Sequence, residues 1–254
     1  MKSVVLALIF GLMITSLSAQ TVTPTTSATT ATTATATTVT EQLIPMPKTD
    51  RLNFFNGIKI DGPMNVVFER VESMNDVRIT YDTKGCITSK FKFDIDRSGT
   101  LVVSEKYDPK RTTVTDVTIY YNSVQSVKIS HATAEFKDKL DRDLFDITVS
   151  GGATVSLAID ALDTAVECTG QSRLTISGVS KYLSMRVSTA KVDCSQLSTV
   201  ATIVDTSHSA EVRVLVSERL EVTTSTGAKL LYRGTPTILR NHAVLFGGDI
   251  ININ

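Results

Sequence analysis

Ser150-Gly151-Gly152-Ala153-Thr154-Val155-Ser156-Leu157-Ala158-Ile159 carries both halves of the pattern that decides the fold. Two glycines make a corner, and a regular alternation of apolar and polar residues leaves it. In a strand, residues i and i+2 point to one face and i+1 to the other, so Val155, Leu157 and Ile159 form an inward row.

The same unit returns along the chain. A small residue, a polar one and a larger apolar one occur at Ala134-Glu135-Phe136, Ala153-Thr154-Val155, Ser172-Arg173-Leu174, Ala190-Lys191-Val192, Ala210-Glu211-Val212 and Ala228-Lys229-Leu230. Turn-prone residues such as Thr169-Gly170-Gln171, Ser207-His208-Ser209 and Ser225-Thr226-Gly227 precede them. The last residues of successive copies lie 19, 19, 18, 20 and 18 positions apart. So short a unit cannot bury its own apolar face, but stacked copies share one core. The expected fold is all-β, a single-stranded β-helix or β-solenoid with rungs of 18–20 residues. In the N-terminal half, Asn56–Val66, Phe91–Ile95 and Val114–Tyr121 read as strands of wider or irregular rungs, preferred to a separate sheet over the open end. Val244–Phe246 and Ile250–Ile253 supply the last strands, with a turn at Gly247-Gly248-Asp249.

Stacking the rungs aligns the polar members of the tripeptides, so Glu135, Arg173, Lys191, Glu211 and Lys229 become a candidate outer-face binding ladder. Mixed charges on an outer sheet also serve as a solvated face of paired ions. Tyr120, Tyr121, Tyr182 and Tyr232 are candidate exposed aromatics on which a sugar ring could stack; Tyr120 and Tyr121 are adjacent, so one of them must face outward. Asp163-Thr164-Ala165 matches a short bacterial O-glycosylation acceptor, with Thr164 as the residue modified.

Ahead of the repeats, Lys2, the apolar run Val4–Ile14 and the small residues Ser16–Ala19 have the anatomy of a signal peptide over residues 1–19. From Thr21 to Thr40 stand twelve Thr, four Ala, two Val, one Pro and one Ser, without a charge. Residues 20–50 read as a disordered Thr/Ala-rich linker, since such a composition buries too little apolar surface to offset the ordering entropy. The domain occupies residues 51–254. No later run is long and apolar enough for a membrane helix.

Lys and Arg total 26 and Asp and Glu 26, interspersed along the chain. That balance offers no footprint for nucleic acid or an anionic membrane. Cys86, Cys168 and Cys194 are odd in number, and the last two sit at apolar-alternating positions suited to small buried side chains. His131, His208 and His242 lack metal-ligand spacing, so no metal or other cofactor is expected.

A polysaccharide-active enzyme on a β-helix would need two convergent carboxylates, or a base beside a cation. Glu167 and Asp205 share an offset from their tripeptides but lie two rungs apart, with Arg186 or Val187 near the place between them. No catalytic residue is assigned, and a glycosidase or lyase using these acids is the alternative reading.

Phe54-Phe55-Asn56-Gly57-Ile58-Lys59-Ile60-Asp61-Gly62, the Ser150-Gly151-Gly152-Ala153 corner, the Ala-polar-apolar rungs and the terminal Gly-Gly-Asp and Ile-Asn-Ile-Asn resemble the family called putative auto-transporter adhesin, head GIN domain. The resemblance covers about Phe54 to Asn254. It implies an exported β-helical protein of unknown activity, and the name implies adhesion. An auto-transporter barrel of many ten-residue strands is not expected after the last rung. The expected function is thus an exported, non-enzymatic, adhesin-like or scaffolding protein of the cell envelope, its partner a glycan or an envelope or extracellular protein. Its expected location is periplasmic, cell-surface or secreted.

Overall fold

The computed structural model describes residues 47–85, 90–243 and 246–254. The signal-like segment, the Thr-rich tract and Cys86 lie outside the described residues.

Among the described residues, seventeen strands join in one sheet. The first nine are short: β1 (Lys48–Arg51), β2 (Gly57–Asp61), β3 (Met64–Arg70), β4 (Arg78–Asp82), β5 (Phe91–Ile95), β6 (Thr100–Glu105), β7 (Thr115–Tyr121), β8 (Ser126–Ser130) and β9 (Thr133–Phe136). Five long, bent strands follow: β10 (Leu140–Ser150), β11 (Thr154–Thr169), β12 (Arg173–Ser188), β13 (Lys191–Ser207) and β14 (Glu211–Thr224). β15 (Lys229–Arg233), β16 (Ile238–Ala243) and β17 (Asp249–Asn252) end the chain. Val244 and Leu245 of the expected terminal strand lie outside the described residues, Phe246 is in a turn, and β1 begins three residues ahead of the expected domain boundary.

All pairings among β2, β3 and β6–β17 that stack the rungs are parallel. The molecule is the expected β-solenoid. Among its inward columns, two run almost the length of the solenoid. One runs Val117, Val66, Ala134, Val155, Leu174, Val192, Val212, Leu230, Ile250. The other runs Leu101, Ile58, Val127, Ile147, Val166, Met185, Val204, Val222. Every member is buried except Ile250, which packs partly buried against the rest.

The corners are left-handed. Gly151 and Gly152, Gly170 and Gln171, His208 and Ser209, and Thr226 and Gly227 are consecutive pairs at positive φ, whereas Thr189 turns its corner alone. Non-glycine residues held there cost on the order of 1 kcal/mol or more each. Hydrogen bonds from rung to rung offset that strain: the Gly152 N–H donates to the Gly170 carbonyl at 2.8 Å, and the Gln171 N–H to the Thr189 carbonyl at 2.7 Å.

Two expectations change. Val155 pairs with Ala134 and Ser156 with Glu135, so the first rung marker is Ala132-Thr133-Ala134. Glu135 stands two residues along from the column of Thr154, Arg173, Lys191, Glu211 and Lys229, and does not belong to that ladder. The error arises because Ala132 and Ala134 share a parity, so either starts a plausible tripeptide.

The N-terminal rungs are also out of sequence order. β2 pairs with both β6 and β8, and β3 with both β7 and β9. Residues 57–70 are therefore stacked between residues 100–121, made later, and residues 126–136. Beyond this irregular rung lies a true cap. β4 lies antiparallel on β7, β5 antiparallel on β6 and β1 antiparallel on β4. It covers strand edges that would otherwise pair with other chains. Inside, Phe68 stacks on Phe136 at 4.2 Å, and Tyr121 meets both edge-on.

Val192 is 2% exposed, and Lys191 beside it points to solvent. Val192→Asp should abolish the cooperative thermal transition followed by circular dichroism, since an unpaired buried charge costs several kcal/mol. Lys191→Asp should cost about 1 kcal/mol or less. Equal effects would refute the inward and outward assignment.

Candidate functional site

The solenoid presents two outer sheet faces and a capped end. On the face formed by β11–β15, Arg173, Lys191, Glu211 and Lys229 are consecutive register partners. Lys191 approaches Glu211 at 3.6 Å, while Arg213 reaches Glu211 at 2.8 Å and Asp193 at 3.7 Å. Glu211 and Asp193 thus answer Lys191 and Arg213, while Arg173 stands beside Lys191, a like charge.

The second face is made by the C-terminal halves of β10–β14 and by β16. Glu167, Arg186 and Asp205 stack directly, with Arg186 Nε 3.9 Å from Asp205 Oδ2. Rung spacing puts the backbones of the two acids about 9.6 Å apart, with Arg186 on the rung between them. Further along, Arg219 and Arg240 share the Glu221 carboxylate. The Arg219 hydrogen bond, with the charges of both arginines, holds that carboxyl below its ordinary range. A shallow groove of about 740 Å³ crosses this face between Lys128 and Thr223, and no aromatic ring is among its lining residues.

The four tyrosines divide. Tyr182 is 43% exposed, beside Lys181. Tyr120 is half-buried beneath the Arg78 guanidinium, 3.7 Å from the ring centre. Tyr121 and Tyr232 are buried, contrary to expectation. Tyr121 shares its parity with Val117 and Ile119, and Tyr232 is the register partner of inward Val214. Thr164 is likewise buried, and its hydroxyl is 2.8 Å from that of Ser180. Standing between Phe145 and Leu183 in an inward column, it cannot accept a sugar in the folded chain. Its parity with Val166 and Cys168 carries that information in the sequence.

Asp61, His131 and Ser130 meet at one corner, an encounter the altered rung order creates. Asp61 Oδ1 and Ser130 Oγ lie 3.1 and 2.9 Å from the same ring nitrogen, Nδ1. A serine nucleophile would need the other nitrogen, which instead faces Gly151, where even a Cβ would come within 2.7 Å. This is a corner clamp. Among the described residues, no group of three or more His, Cys, Asp or Glu is arranged to hold a metal ion.

The cap holds what the sequence did not disclose. Tyr81 on β4 meets Phe91 and Phe93 on β5 with centroid separations of 4.9 and 5.5 Å. These rings, with Lys48, Thr83, Lys92, Asp94, Val102 and Ser104, line a pocket of about 540 Å³. Burial, aided by Asp50, raises the Tyr81 phenol above its ordinary range. A mostly apolar concavity of this size with a few polar groups on its wall is the usual form of a ligand site. Phe91 and Phe93 read from sequence only as alternating strand residues.

The architecture defines a β-solenoid with an aromatic-lined cap and two ion-paired outer faces. The chain belongs to the family described as putative auto-transporter adhesin, head GIN domain, whose model matches residues 54–236. A comparison with curated proteins finds no significant match. Solved structures share the fold. A putative adhesin from Bacteroides fragilis aligns with TM-score 0.73 and 16% identity, covering 82% of this chain and 96% of that one. A putative adhesin from Parabacteroides merdae gives 0.66 and 15%, and a putative lipid binding protein from Parabacteroides distasonis 0.64 and 13%, with the same coverages.

Cys168 and Cys194 are free and buried, and burial pushes the Cys168 thiol up to about 12 and the Cys194 thiol higher still. Since the thiolate is the reactive form, iodoacetamide at mildly alkaline pH should leave both unlabelled in the native chain and label both after denaturation, as read by peptide mass spectrometry. Native labelling of either would contradict its place in the core.

Proposed function

We propose that this chain is an exported, adhesin-like binding protein of the cell envelope that holds a sugar ring of a surface or extracellular glycan in its capping pocket. The observation that carries this reading is the convergence of Tyr81, Phe91 and Phe93 around a pocket edged by Lys48, Lys92, Asp94 and Ser104. Aromatic faces give contact area at low entropic cost, and the charged and hydroxyl groups suit ring hydroxyls or a sugar carboxylate. Export is supported by the signal-like residues 1–19 and by membership of an adhesin family. No described helix is long and apolar enough to cross a membrane.

A second reading, a glycan-cleaving enzyme, draws on Glu167 and Asp205. Their separation of about 9.6 Å is near that of an inverting pair. Arg186, however, stands on the rung between them and pairs with Asp205.

A glycan array with the mature chain, followed by product analysis on each hit, separates the two. On a hit, Tyr81→Ala and Phe93→Ala should each weaken binding by roughly tenfold, about 1.4 kcal/mol for one stacked ring, while Arg186→Ala leaves it unchanged. Unaltered affinity in both aromatic variants would overturn the pocket, and a depolymerised product would overturn the non-enzymatic reading.

A further inference from the structure

The second outer face has a property that its sequence columns reveal only when read in both directions. The first outward column runs Leu144, Asp163, Tyr182, Ala201, Arg219, Ile238. The second runs Asp146, Ala165, Ser184, Ile203, Glu221, Arg240, and the third Thr148, Glu167, Arg186, Asp205, Thr223, His242.

A two-fold axis lying along the strand direction, midway between the rungs of Tyr182 and Ala201, sets each column against its own reverse. Leu144 then meets Ile238 of a second copy, Asp163 meets Arg219, and the large Tyr182 meets the small Ala201. In the second column Asp146 meets Arg240, Ser184 meets Ile203 and Ala165 meets Glu221. In the third, Arg186 meets Asp205, Glu167 meets Thr223 and Thr148 meets His242. Every charge that meets a charge meets its opposite, and each contact occurs twice. Such self-complementarity is the requirement of an isologous interface.

Exposure adds a driving force. Leu144 is 63% exposed, Tyr182 and Ile238 43% each, and Ile203 51%. Tyr182 and Ile203, on neighbouring rungs, form an exposed apolar centre to the face, with Leu144 and Ile238 at its two ends. The two arginines beside Glu221 leave that end of the face with one positive charge in excess, and Asp146 and Asp163 stand at the other end. Six rungs at about 4.8 Å and six residues of strand at about 3.4 Å give a footprint of about 600 Å² per copy, at the lower edge of stable interfaces.

We infer that this face pairs with the same face of a second copy of the chain, forming a two-fold dimer with antiparallel solenoid axes. The capping pocket lies outside the three columns, so glycan binding and pairing succeed or fail independently.

Sedimentation velocity of the mature chain from about 1 to 500 µM should give a concentration-dependent dimer. Asp163→Arg and Arg219→Asp should each raise the dimer dissociation constant at least about tenfold, by opposing like charges twice per interface. The double variant, in which the pair is reversed, should return it to within about threefold of wild type. Asp163 and Arg219 are three rungs apart in one copy, so restoration reports contact between copies. Circular dichroism melts confirm that each variant is folded; should a single variant unfold, Tyr182→Ala tests the same face and should also weaken the dimer. A wild-type chain that stays monomeric across the range, or a double variant no better than either single one, would overturn the inference.

Discussion

Rung-to-rung register is the constraint on which everything else depends. Each parallel ladder fixes which residue stands above which, and because side chains alternate, that choice also fixes what is buried. A slip of one residue at β13 would turn Val192, Cys194 and Val204 outward and bring Lys191 and Asp193 into the core. The left-handed corners enforce the phase, since their backbone N–H groups bond to the corner of the adjacent rung. Threonine appears inside where the register demands a β-branched shape. Thr199 and Thr202 satisfy one another at 2.7 Å, and Thr164 is satisfied by Ser180.

Much of this architecture could be read from residues alone, because alternation and corners are local signals. The later rungs, from Ala153 to Leu230, stand in the register their tripeptides announce. The first tripeptide did not, since two frames of equal parity compete there and only hydrogen-bonded pairing separates them. The order of the N-terminal rungs left no local trace: β2 and β8 carry the same alternation, and nothing in either says which strand lies beside it. The site followed the same division. Tyr182 faced outward as its parity requires, whereas parity should also have marked Tyr121, Tyr232 and Thr164 as inward. Tyr81, Phe91 and Phe93 converge only through antiparallel pairings at the cap, and no spacing in the chain encodes that meeting.

The outer surface gives the molecule two characters. Along both faces, several charges meet an opposite charge on the next rung, an arrangement that needs no ligand to explain it. At the cap, the rungs stop and aromatic rings close the end of the core, leaving a concavity.

The displaced position of residues 57–70 bears on how the chain acquires its structure. From β10 onward, each rung can settle on a finished predecessor, so assembly there proceeds as growth from an end, with mostly nearest-neighbour contacts. The rung of β2 and β3 has no such option. Its two neighbours, residues 100–121 and 126–136, are made afterwards, so β2 and β3 stay unpaired until about 45 further residues have followed and gain their second neighbours only after about 65. The N-terminal third must condense as one cooperative unit, and it becomes the seed on which the remaining rungs are laid.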